Sequence, residues 1–328
     1  MIIDVHHHII VPEITRDAAP EEDWRPRVFW EDGKQVVDFR GRRLHSALRP
    51  YVEIEAILEA QREAGVEGVL LSPWSSLLGH DRPSQEGRRI CQIQNQSLAG
   101  LTEKYPEQVR VLGTVPMQDI PHAIEELQHL MRDGRFEGIE IAATVGELYV
   151  GDDSFRPFWD AVEQAEALVF IHPTTRGLGI SALQDYYMNN TVGNPLETAI
   201  VAAQLVMSGV IEQHPNLRIL LSHGGGAVLS LRGRLRHAHS FQPKARSRLK
   251  ESPIDSLKRF YFDTVTHDAD LLRQLIDFAG EDHVLLGSDY PYDMGYERPV
   301  DLVRSLALSA DSEAKVLGGN AARLMRTR

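Results

Sequence analysis

Eight short runs rich in Val, Ile and Leu, at 1–6, 67–72, 109–115, 137–142, 168–172, 217–222, 260–265 and 283–288, alternate along this chain with segments of helical periodicity. Repeated β-α units around a parallel sheet produce this rhythm, and eight of them close into a TIM-type (β/α)8 barrel. The helical segments include Ile120–Arg132, with Ile124, Leu127, Leu130 and Met131 on one face, and Pro195–Gln213. Asp119 and Asp152 stand where N-terminal caps belong, and Gly134 and Gly209 where helices end. Two segments break the rhythm: 12–50 after strand 1 and 174–194 after strand 5. Connections that long inside a compact fold usually carry function, and both lie on the face where barrel active sites form, so they are expected to build substrate walls or lids. The 328 residues suit one barrel, and no linker composition divides 1–328 into two domains.

What the strands deliver at their carboxyl ends is chemically uniform. The first ends in Asp4-Val-His6-His7-His8, and alternation sends His6 and His8 to one face and His7 to the other. Strand 5 ends in Ile-His172-Pro, strand 6 in Ser-His223-Gly-Gly-Gly and strand 8 in Gly-Ser-Asp289-Tyr-Pro. Any one of these residues is ordinarily a hydrogen-bonded core histidine or a capping aspartate. Their joint arrival at one end of a barrel instead predicts a divalent metal site of nitrogen and oxygen ligands, zinc first, from His6, His8, His172 and Asp289. His223 is either a further ligand or a proton shuttle beside the metal, a role suited to imidazole.

Metal number follows from strand 4. Binuclear barrels commonly bridge their ions with a carbamylated lysine there, but this strand reads Phe-Glu-Gly-Ile-Glu-Ile-Ala-Ala-Thr. The six lysines, at 34, 104, 244, 250, 258 and 315, all lie away from strand ends, which predicts one ion.

Composition narrows the partners. A formal charge of −12 disfavours a phosphate backbone, so no nucleic acid is expected, and the Arg-rich stretch 232–248 reads as a solvated helix face. No apolar run spans a bilayer, and Met1 leads directly into a strand without a basic or cleavable segment, so the expected compartment is the cytoplasm. The single cysteine, Cys91, sits in a polar helical stretch and has no partner for an internal disulfide.

With these residues in order, the chain resembles the amidohydrolase-2 branch of the amidohydrolase superfamily, and within it the aminocarboxymuconate-semialdehyde decarboxylase-like proteins. The likeness runs from Met1 to Leu324 through Val-Pro-Met-Gln-Asp at 115–119, Asn-Pro-Leu-Glu-Thr at 194–198, His223-Gly-Gly-Gly, Leu-Gly-Ser-Asp289-Tyr-Pro and Gly319-Asn-Ala. The resemblance implies His6, His8, His172 and Asp289 as metal ligands and His223 as catalytic acid/base. It also implies that Arg234 binds a substrate carboxylate, reaching across a homodimer interface in such enzymes. Arg176 and Trp74 complete the expected substrate-binding set. Two departures stand out. A second substrate-binding Arg of the family would fall at Ile57, leaving Arg40, Arg43 or Arg49 to replace it, and Thr-Thr-Arg176 follows His172-Pro where the family has Trp-Asp.

The expectation is therefore a mononuclear, metal-dependent decarboxylase of an unsaturated or aromatic carboxylic acid. Its alternative is a hydrolase of the same branch acting on a C–C, lactone or amide bond, with His223 or Asp289 handling the proton. A purely structural metal would favour closed, often thiolate-containing sites and does not suit these ligands at a barrel mouth.

Overall fold

A computed structural model describes residues 1–16, 22–40, 42–45, 51–174 and 177–325. Its centre is one eight-stranded parallel sheet: β1 (Ile3–Ile9), β2 (Gly68–Pro73), β3 (Val109–Gly113), β4 (Phe136–Ala142), β5 (Leu168–His172), β6 (Arg218–Leu221), β7 (Tyr261–Asp263) and β8 (Val284–Leu285), hydrogen-bonded in that order. The last strand returns to the first. Val5 N–H donates to Leu286 O, Asp289 N–H to His6 O and His8 N–H to Tyr290 O, each at 2.9 Å, and the sheet closes into a barrel. The principal helices outside it are α1 (Ile54–Glu63), α2 (Ser84–Lys104), α3 (Ile120–Asp133), α4 (Arg156–Gln164), α5 (Asn194–Met207), α6 (Val228–Phe241), α7 (Ala269–Ala279) and α8 (Pro299–Ser305).

Side-chain alternation divides the core in two. Val5, Leu70, Leu112, Phe170, Leu220 and Leu285 pack with one another in a cluster that fills the lower barrel. Their neighbours Val69, Val111, Ile139, Ile141, Val169 and Ile219 belong to a separate cluster with the helices, including Ala123, Leu127, Leu130 and Met131 of α3. That spacing of four, three and one is the apolar stripe of an amphipathic helix, and α3 ends at Gly134 in the left-handed region.

All eight strands lie where the sequence puts them, with local differences at their ends. Strand 8 stops at Leu285 because Leu286 N–H turns to Val316 O, and strand 7 stops at Asp263 because that side chain, not a neighbouring strand, accepts from Val265 N–H. The helix expected over 195–213 ends at Met207; Gly209, at φ +80°, separates it from a short turn at Val210–Gln213. Asp119 makes no side-chain cap, accepting instead from Ser84 and lying 2.8 Å from His122 Nδ1. Asp152 does cap, but a 3-10 turn at Asp153–Phe155 ahead of α4.

The insertion after β1 contains a three-stranded antiparallel sheet, Arg27–Glu31, Lys34–Phe39 and Arg42–His45. The one after β5 is built of short 3-10 and π-helical turns leading into α5. Cys91 is buried on α2, where desolvation pushes its thiol pKa up and away from nucleophile chemistry. Among the described residues no helix is long and apolar enough to cross a membrane.

Candidate metal centre

Five side chains meet inside the carboxyl end of the barrel. His6 and His8 come from β1, His172 from the last position of β5, His223 from the turn after β6, and Asp289 from the segment after β8. One donor atom from each of His6, His172, His223 and Asp289 lies within 4.8 Å of the others. His8 belongs to the same cluster, with Nε2 3.1 Å from His6 Nε2 and 3.6 Å from Asp289 Oδ1. His7 faces away and stacks on Tyr290, as strand alternation requires.

The outer nitrogens fix how these rings present themselves. His6 Nδ1 lies 2.6 Å from Asp263 Oδ2, His8 Nδ1 2.9 Å from Pro73 O and His172 Nδ1 2.9 Å from Pro173 O. Each Nδ1 therefore donates outward to an acceptor, and each Nε2 turns inward, the arrangement that orients metal-binding imidazoles. Inside, His6 Nε2 lies 3.1 Å from both His8 Nε2 and Asp289 Oδ1, while the buried His172 Nε2 has no hydrogen-bond partner. Lone pairs crowded at such distances repel unless a cation or a proton lies between them.

Without an ion, charge in the cluster settles on His6. Burial works against its imidazolium, but Asp289 and Asp263 outweigh that and push its pKa up to about 10. Burial and neighbouring histidines hold His172 well below the ordinary imidazole value, and burial first of all lowers His8. Burial opposes the Asp289 carboxylate too, yet His6, His223 and His8 hold its pKa well below the ordinary value. The donor set is thus one carboxylate among imidazoles, with His6 holding a proton where a cation fits.

His223 is placed by its backbone. Its φ is +55°, and Gly224, Gly225 and Gly226 continue at +59°, +76° and +60°. A Cβ at Gly226 would come within 2.2 Å of Pro195 O, so the glycine run is needed for the turn to pack beneath α5. Asp263 anchors the turn by accepting from His223 N–H at 2.9 Å and Gly224 N–H at 2.7 Å. His223 Nε2 then stands 3.3 Å from Asp289 Oδ2. Asp289 shares the left-handed backbone, at φ +58°.

At the same end of the barrel, past the carboxyl ends of β2, β4 and β5, opens a cavity of about 510 Å³ whose lining includes Phe39, Arg40, Trp74, Ala142, Thr144 and Thr174. Tyr292 lies 5.1 Å centroid to centroid from His8, with its hydroxyl 3.3 Å from the Oγ of Ser75, which lines the cavity. Tyr51 lies 6.0 Å from Tyr292 and 6.2 Å from Trp74, and Phe39 lies 5.7 Å from Trp74, making an aromatic wall. The post-β1 insertion supplies Phe39 and Arg40, and Arg40 Nη1 pairs with Asp81 at 2.6 Å.

Placement of the expected substrate residues is mixed. Trp74 is buried in the cavity wall. Arg234 is exposed on α6 and is absent from the described cavity lining. Arg176 and Arg49 lie outside the described residues. Ile57 is fully buried in α1, a position suited to an apolar side chain, and Arg43 is turned to Glu31. Three contributors were not anticipated from sequence: Asp263, Tyr292, and Glu140, buried on β4 with Oε2 3.8 Å from His8 Nδ1 and pushed up to about 8 by desolvation. Acidic residues inside apolar runs, Glu137 and Glu140 in β4 and Asp263 in β7, were the available signal.

Residues 3–327 match the family model described as Amidohydrolase. The chain belongs to this amidohydrolase family. It is 30% identical over 254 residues to a 2-amino-3-carboxymuconate-6-semialdehyde decarboxylase of Dictyostelium discoideum, covering 77% of this chain and 70% of the relative. A 6-methylsalicylic acid decarboxylase of Penicillium expansum is 26% identical, with 88% of this chain and 84% of the relative covered. Among solved structures, 5-carboxyvanillate decarboxylase from Sphingomonas paucimobilis superposes with a TM-score of 0.84 at 25% identity, over 100% of this chain and 99% of that one. Membership makes this amidohydrolase an enzyme, and its relatives here share decarboxylation.

Proposed function

We propose that this amidohydrolase removes carbon dioxide from an aromatic or otherwise unsaturated carboxylic acid, with residues 1–328 as one catalytic unit. The inward-facing Nε2 atoms of His6 and His8, 3.1 Å apart, with Asp289 Oδ1 3.1 Å from the former, carry the reading. Those donors fit a single divalent ion, zinc first by ligand type, held by His6, His8, His172 and Asp289. When bound, such an ion supplies Lewis acidity that polarises a substrate oxygen.

The chain's own groups perform the rest. The wall of Phe39, Trp74, Tyr51 and Tyr292 takes a flat ring and excludes water from it. Arg40 is the described cation in the cavity lining and pairs with the substrate carboxylate, in the role left open at Ile57. His223, steered by Asp289, delivers a proton to the carbon that loses the carboxyl group. The C–C bond breaks, its electron pair remains on that carbon, CO2 departs, and the proton from His223 completes the product. Arg234, exposed on α6, serves a neighbouring subunit in a homodimer under this reading.

Product analysis tests the proposal. Incubation of metal-replete protein with hydroxybenzoate-like, muconate-like and lactone acids is expected to release CO2 without incorporating solvent oxygen. Solvent oxygen in the product without CO2 would instead assign a hydrolase.

A further inference from the structure

The insertion after β5 is held to the rest of the molecule by very little. Of residues 178–193 only Leu183 has a buried side chain. Among the described residues a single side-chain contact of hydrogen-bonding kind leaves the segment: the Tyr187 hydroxyl lies 2.7 and 2.9 Å from the two carboxylate oxygens of Asp293 and donates to them. Burial and Asp293 push the Tyr187 pKa up, so the phenol keeps the proton it donates. Asp293 follows Tyr292 on the segment that carries Asp289. Between β5 and β8 stand β6 and β7, so the tie does not join neighbours but runs across the barrel mouth.

The backbone of the segment is under strain. Leu178, Tyr186 and Tyr187 have φ of +57°, +56° and +60°, a conformation that persists in residues other than glycine only where surrounding bonds hold it. The far end passes through a π-helical turn at Asn189–Gly193 before entering α5. Gln184 and Asn189, three residues before Tyr187 and two after it, line the cavity, whereas Tyr187 is absent from the described lining. Segments with few buried side chains open locally far more readily than the core of a fold. Here water can replace either half of the one tie, since Tyr187 and Asp293 are both exposed. Opening carries Gln184 and Asn189 away from the cavity wall.

We propose that residues 178–193 form a strap closed over the cavity by the Tyr187–Asp293 hydrogen bond, and that release of this bond gates the passage of substrate and product. This rests on the reading of the cavity as the place where the acid binds. Tyr187 and Asp293 act by holding the strap and are positioning residues.

Hydrogen exchange of the metal-replete protein reads the strap directly. Amides of 178–193 exchange faster than those of β1 and β5 in the unmodified protein. Tyr187→Phe keeps the ring and removes the hydroxyl, and exchange in 178–193 speeds about 10-fold while the barrel strands are unchanged. Asp293→Ala does the same, and the double variant does no more than either single one, because both remove one bond. Stopped-flow binding with salicylate as the probe separates a gate from a contact. In Tyr187→Phe association and dissociation both speed, by about the same factor, and Kd stays within about twofold, whereas loss of a contact with the ligand would raise dissociation alone. Unchanged exchange in both single variants, multiplying effects in the double variant, or faster dissociation without faster association overturns the strap. If exchange responds as expected but none of the hydroxybenzoate-like, muconate-like and lactone acids releases CO2, the strap stands and the decarboxylase reading fails; CO2 release with unchanged exchange does the reverse.

Discussion

Loading the metal centre should displace one proton from His6, and that exchange can be counted. In the ion-free cluster the His6 pKa stands at about 10, raised by Asp289 and Asp263 over the opposing effect of burial. At pH 6 the ring is therefore protonated in all but roughly one molecule in 10⁴, while His172, held well below the ordinary value, is neutral, His8 is shifted toward its neutral form and Asp289 is ionised. Metal coordination needs a lone pair on His6 Nε2, so binding expels that one proton. Apparent affinity then rises about tenfold per pH unit, roughly 1.4 kcal/mol, and this slope vanishes above about pH 10, where His6 is already neutral. Glu140, at about 8, is a second proton carrier nearby, so the measurement belongs in a Glu140→Gln background. Calorimetric titration of chelator-stripped protein in two buffers of different ionisation enthalpy reads the proton count. A metal-bound water titrating near neutrality adds little at pH 6. Asp263→Asn removes one of the charges that raise His6 and should lower the pH at which the slope disappears. No proton exchange at pH 6, or a slope of three from several protonated histidines, would refute this account of the site's charge.

The other predictions address ligands, proton transfer and substrate contacts. His6→Ala combined with His8→Ala should abolish metal retention, and elemental analysis of the unmodified protein should give about one ion per chain; two ions, or full occupancy in the double variant, contradicts the mononuclear site. His223→Asn should keep most of the metal and lose about 10²–10⁴-fold in kcat, the range of positioned acid–base catalysis, whereas metal loss would make His223 a ligand. Arg40→Ala should raise KM far more than Arg40→Lys, since the lysine keeps the charge and loses only the planar fork; equal KM values in both variants and the unmodified enzyme remove Arg40 from substrate binding. For Arg234, inactive Arg234→Ala chains refolded with inactive His223→Asn chains should recover some activity in heterodimers. Heterodimers that form but stay inactive place Arg234 in the service of its own subunit or of the fold alone.

What the sequence disclosed of this molecule depended on how locally each feature is encoded. The strands were readable because they are short apolar runs, and the ends of β1 and β5 announced His6, His8 and His172 because alternation over a few residues decides which way a side chain points. The shortening of β8 was not readable, because Leu286 turns to Val316 O, a partner distant in the chain, and that of β7 was not readable because a side chain two residues back, Asp263, takes the Val265 N–H in place of a neighbouring strand. Asp263 itself was overlooked because nothing near it in sequence reveals that it will meet His6, 257 residues away. Arg40 was one of three possible cations until the insertion's antiparallel sheet carried it to the cavity. Glu140 looked like one of two glutamates in an apolar strand, and only burial beside His8 gives it an unusual proton affinity.

Asp263 also explains how the site tolerates its strained backbone. Left-handed conformations at residues other than glycine cost on the order of 1–3 kcal/mol each, and both His223 and Asp289 adopt them. Such positions persist where surrounding bonds hold them. One buried carboxylate, Asp263, binds the backbone of His223 and Gly224 and the ring of His6, while His6 O receives the backbone N–H of Asp289. Strands β1, β6, β7 and the segment after β8 are thereby linked by charge-assisted and backbone hydrogen bonds around the residues that face the cavity. Rotation of His223 out of line would break bonds to the same group that orients His6, so proton donor and metal ligand are positioned together. A barrel whose lower half is packed with aliphatic side chains and whose upper layer is tied through one aspartate can hold both in register while the surrounding loops change what is bound.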